Sequence, residues 1–201
     1  MKNYLYHGIK WFDYKLLVKI LENGYIVPRC MLKDGISSDT NNLFNGNKYI
    51  SLCQKSLWGE LDKWEYKCSF DDYIFNRPAL VLKRENIDIA YPNLITKVES
   101  GMMSPEKWKK ITFNDDDERY SYYSDELQTK EKISLKDNLI AVGLPRNHLK
   151  RQLSTDEAKQ ILKSVKEALI KSELDVPILD SSIYSFADDE ECIKKNILKL
   201  H

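Results

Sequence analysis

Short strand-like runs are spread along this chain at wide, uneven intervals, and they constrain its fold more than any other feature. Residues 3–7, 49–53, 79–82, 126–133 and 139–144 each carry the apolar or alternating pattern of a strand. Helix patterns stand between and after them, at residues 13–23 and 154–171. Such an order predicts an α+β fold. The 201 residues suit one domain with a helical appendage, here residues 1–150 and a C-terminal helical extension, 151–201, packed on the same domain.

Local signals sharpen these elements. Asp13 can cap the first helix, whose stripe is Leu16, Leu17, Ile20 and Leu21, and Gly24 can end it in a left-handed conformation. Ser154-Thr-Asp-Glu157 is a capping box, followed by Ala158, Ile161, Leu162, Val165, Ala168 and Leu169 on one helical face. Lys136-Asp-Asn138 splits the last two of these strands, and Pro145 closes that pair. Residues 33–48 read as an exposed loop, 87–91 as a short helix or strand, 176–179 as extended and 188–199 as a final helix.

Charge and cysteine usage exclude several classes. Lys plus Arg and Asp plus Glu number 31 each, so the net charge of zero gives no general attraction to nucleic acid. Cys30, Cys53, Cys68 and Cys192 are scattered without a CxxC or zinc spacing, which predicts free thiols in a reducing compartment. The acid run Asp115–Glu118 lacks the spacing of a calcium loop, so no metal is expected. No glycine-rich phosphate loop is present, which argues against Rossmann and P-loop readings. No run approaches the roughly 18 apolar residues of a membrane span. The N-terminus carries no apolar signal region, so a cytoplasmic protein is expected.

Two short motifs carry the functional reading. Leu5-Tyr6-His7-Gly8 ends the first strand, and Ser124-Asp125-Glu126 opens a late one. Together with Tyr49-Ile-Ser51 on a strand between them, they resemble the ADP-ribosyltransferase family, over roughly residues 4 to 145. The likeness is to the branch that includes diphtheria toxin, the poly(ADP-ribose) polymerases and bacterial DNA-modifying members. It implies a split β-sheet core with flanking helices, NAD as substrate, toxin-like transferase chemistry, and a protein or nucleic-acid acceptor.

The resemblance implies roles for residues here. His7 and Gly8 would hold NAD, and Glu126 would stabilise the positive charge left on the ribose as nicotinamide departs. Tyr49 would stack on nicotinamide, Ser51 would bond ribose or orient Glu126, and Tyr122 and Tyr123 would stack on NAD or on an acceptor base. The 12 tyrosines leave the stacking ring open among Tyr49, Tyr120, Tyr122 and Tyr123. Arg29, Lys55 and Arg119 are candidates for the pyrophosphate. Strand alternation would put Glu131 on the face opposite Glu126. Ser124 departs from the Gln or Glu that arginine- and Rho-modifying toxins carry there, which argues against those targets. The alternative is a non-catalytic binding or regulatory protein of the same fold, with the helix 154–171 serving a partner protein. Both readings need His7 and Glu126 to line one cleft, with a tyrosine ring between them.

Overall fold

A strand buried on both faces needs apolar residues at every position, and Ala79-Leu-Val-Leu82 supplies them. The computed structural model describes residues 4–9, 12–28, 50–53, 77–89, 126–183 and 186–199. Its six-stranded sheet contains β1 (Tyr4–Gly8), β3 (Ile50–Cys53), β4 (Ala79–Lys83), β5 (Glu126–Thr129), β7 (Leu139–Leu144) and β8 (Ile178–Asp180). The order is β5-β3-β1-β4-β7-β8, antiparallel throughout except for the β7–β8 pair. A separate two-stranded sheet pairs β2 (Tyr25–Ile26) with β6 (Ile133–Ser134). The protein is therefore α+β, with a mixed main sheet.

Alternation along β1 and β4 sorts their side chains into two cores. Leu5, Leu80 and Leu82 enter the larger one with Val142 and Leu144. Tyr6, Ala79 and Val81 enter the smaller one with Ala141, Phe186 and Ala187. A register shift between Val81 and Leu82 brings Leu82 opposite Leu139, keeping both in the larger core.

The larger core is roofed by helices α1 (Tyr14–Asn23) and α4 (Thr155–Lys171). Between β6 and α4 lie the single turn α2 (Leu135–Asn138) and the short α3 (Arg146–Arg151). Asp13 caps α1 by accepting the Leu16 N–H at 2.9 Å, and Gly24, at φ 72°, takes the left-handed position that ends it. Ser154 and Glu157 form the reciprocal capping box of α4. The two helices pack together, Leu17, Leu21, Val165 and Ala168 all lying in the larger core, and Ser172 Oγ donates to the Leu21 carbonyl at 2.8 Å. The parallel β7–β8 pair needs a long crossover, and residues 145–177, with α3 and α4, provide it. Residues beyond 150 thus supply a strand of the sheet as well as helices.

The other face is covered by the segment that leads to α5 (Glu190–Lys195). Gly8, Ala79 and Gly143 stand opposite one another across β1, β4 and β7, a row of small residues. Phe186 lies against it: a Cβ on Gly143 would come within 3.1 Å of the Phe186 ring and of Ser181 Cβ. The same ring meets Tyr6 edge-on, with centroids 5.9 Å apart.

Several expectations change. The single strand over 126–133 is broken in two. Thr129 Oγ1 accepts the Glu131 N–H at 3.2 Å, a local turn that competes with the ladder, and β6 leaves for the second sheet. Glu131 therefore sits exposed in a turn and not on a strand face. Residues 87–89 are neither helix nor strand. The split at 136–138 is the helical turn α2. The loop 33–48 and the acid run 115–118 lie outside the described residues.

Replacing Phe186 with Ala removes the only described aromatic cover of Gly143 and is expected to destabilise the fold by about 3–5 kcal/mol. Urea unfolding with an unchanged m-value checks this; a loss below about 1 kcal/mol would show that the site collapses freely.

Candidate functional site

The strands named by the sequence motifs are neighbours. β1, with His7 and Gly8, pairs with β3, which holds Ser51, and β3 pairs with β5, which opens at Glu126. Registers put Tyr6 opposite Cys53 and Cys53 opposite Glu126. Ser51 stands opposite Gln128. Residues in one row, and at every second position from it, share a sheet face. By backbone position Ser51, Cys53, Glu126 and Gln128 therefore belong to the set of Tyr6. His7, opposite Leu80, belongs to the other set, with Leu5.

The sheet thus brings Ser51 and Glu126 together and sets His7 in the alternate set. Two strand spacings, about 10 Å, separate β1 from β5. Tyr6, which the sequence reading did not single out, is the β1 residue in the row of Glu126. Its hydroxyl donates to the Ala187 carbonyl at 2.9 Å and lies 3.2 Å from Asp188 Oδ1. Gly8, expected to hold NAD with His7, has its place in the row of small residues. Arg29, Tyr49, Lys55, Arg119, Tyr120, Tyr122, Tyr123 and Ser124 lie outside the described residues.

A second polar cluster stands where β1 ends. The Tyr14 hydroxyl and His148 Nδ1 share a buried hydrogen bond of 2.9 Å. The Phe12 ring stacks on the His148 imidazole with centroids 3.8 Å apart and planes 8° from parallel. The Arg77 guanidinium carbon lies 5.8 Å from the Phe12 centroid, over the ring. Phe12 has φ 55°, a left-handed conformation costing a bulky residue about 1–3 kcal/mol. Burial pushes the Tyr14 phenol up and the His148 imidazole down, so both are neutral near pH 7. Spacing could not reveal this pair, because 134 residues separate its members.

The sheet keeps Cys53 apart from His148 and Asp180. Cys53 lies on β3, three strands from β7, which leads to His148. The Asp180 carboxylate accepts the N–H groups of Arg146 at 3.2 Å and Ser182 at 2.9 Å. Among the described residues no three metal-ligating side chains cluster, and no helix is long and apolar enough to cross a membrane. Comparison with family models, with curated proteins and with solved structures finds no match.

The His148 shift has a pH consequence. Its folded pKa lies below the ordinary value near 6.5, so between the two the unfolded chain binds more protons. The neutral imidazole's stability contribution is complete above about pH 6.5 and is lost as pH falls from there toward the folded pKa. Urea midpoints should drop between about pH 7.5 and 5.5, and drop less in His148→Phe, which keeps a ring against Phe12. An equal drop in both proteins would assign the effect to other groups.

Proposed function

We propose that this chain cleaves NAD at the nicotinamide–ribose bond and transfers ADP-ribose to a protein or nucleic-acid acceptor. One observation carries the reading. The strands bearing His7, Ser51 and Glu126 lie far apart in sequence yet are consecutive in the order β5-β3-β1. Nicotinamide leaves with the glycosidic bonding pair, and C1′ gains oxocarbenium character. The Glu126 carboxylate stabilises that charge, and Ser51, in the same positional set, orients it. The acceptor then bonds to C1′ and loses a proton. His7 holds the adenosine side of NAD, and Tyr49, Tyr122 or Tyr123 stacks on nicotinamide, with Arg29 toward the pyrophosphate.

A second reading is a non-catalytic binding or regulatory protein on the same sheet; the register, which puts His7 and Glu126 in alternate sets, weighs against a single shared cleft in either reading. Labelled NAD in a cell lysate separates the two. Transfer requires labelled macromolecule and free nicotinamide, and nuclease or protease sensitivity of the label names the acceptor. In that assay Glu126→Gln, which keeps shape and loses charge, should lower turnover by about a hundredfold while NAD affinity changes little. A folded protein that yields neither label nor nicotinamide overturns the proposal in favour of the second reading.

A further inference from the structure

We propose that Phe12 and His148 are positioning residues for the His7–Gly8 end of β1, a role that rests on the ADP-ribosyl-transfer reading. The chain between β1 and α1 is gripped at both ends by a single segment. The Ile9 N–H donates to the Pro78 carbonyl at 2.8 Å, and the neighbouring Arg77 lies over the Phe12 ring. That segment is itself fixed, since the Arg77 carbonyl accepts the Ser181 hydroxyl at 2.6 Å. The stacked imidazole of His148 holds the same ring, and Tyr14 holds the imidazole.

Phe12 carries its left-handed backbone beside a ring held by named contacts. Glu173 has a similar φ of 54°, but it closes α4, where a left-handed residue lets the Leu174 N–H reach the Leu169 carbonyl at 2.9 Å. Phe12 lies in a 3-10 turn that stops before Asp13, and its ring is stacked on His148 with Arg77 over it. Phe12 and Tyr14 pack with the larger core, the core of Leu5 and Leu80, on the face where alternation places His7. The stack therefore fixes Phe12 on the face of β1 where alternation places His7 and where NAD would be held.

The roles are separated by Phe12→Leu, which removes the aromatic stack, and Phe12→Tyr, which keeps it. In the full chain, Phe12→Leu should raise the KM for NAD by about tenfold and leave kcat within about twofold, because the stack acts on binding and not on the reacting bond. Phe12→Tyr should restore the wild-type KM. Hydrogen exchange of the Ile9 amide reports the same grip without any chemistry: protection should fall in Phe12→Leu and persist in Phe12→Tyr. If Phe12→Leu does not fold, Tyr14→Phe, which deletes one hydroxyl, takes its place with the same expected directions. Unchanged Ile9 protection overturns the grip. Lost protection with unchanged KM, or an equal fall in kcat, overturns the positioning role. If wild-type protein cleaves no NAD, the transfer reading and the positioning role fall together, while exchange still decides the grip.

Discussion

The five-residue pairing of β1 with β4, buried on both faces, is the constraint on which the rest of the structure depends. A strand covered on one side tolerates polar residues at alternate positions. One covered on both does not, so Leu80 and Leu82 must face helices while Ala79 and Val81 face the C-terminal segment. A slip of one residue would exchange the two sets and put leucines where small residues admit Phe186. The register of the centre is thereby fixed from both sides, and β3 and β5 inherit theirs from it.

The C-terminal residues follow from the same constraint. β8 extends the sheet, α4 seals the larger core, and Tyr6 is tied to Ala187 and Asp188 across 181 and 182 residues of sequence. Removing this region would uncover both faces of β7 and the smaller core together. The apolar stripe of α4 packs with α1 and the sheet, so the face left for a partner is its exposed one, polar but for Ile170.

What was legible in the sequence was local chemistry. Asp13, Gly24, Ser154 and Glu157 act within a few residues of themselves, and each does what its side chain predicts. The two-faced burial of residues 79–82 shows in their unbroken apolar run. The break after Thr129 was missed because its cause is one hydroxyl competing with a ladder bond. The Tyr14–His148 pair was missed because it exists only after the β1 and β7 ends meet. The strands of the candidate site were legible, and which of their residues share a face was not. Motifs state which residues a strand carries, and only pairing states which face each one joins.

That distinction bears directly on how one ligand could touch both His7 and Glu126. Ile50 and Leu52 sit in the larger core, so Ser51 and Cys53 are held to the opposite set, and Glu126 follows Cys53. Sliding β3 by one residue would bring His7 and Glu126 into the same set, but it would expel two buried aliphatic side chains, at about 1.5–3 kcal/mol each. The sheet will not adjust in that way to suit a ligand. β5 is instead the outermost described strand of the six-stranded sheet. A ligand lying over the face of His7 has only β3 to cross, about 10 Å, before it reaches the margin where Glu126 begins its strand. A long, bent substrate can span that distance and turn at the margin, whereas a compact one can engage only one of the two residues. On the proposed reading, a ligand that meets both residues has to be extended.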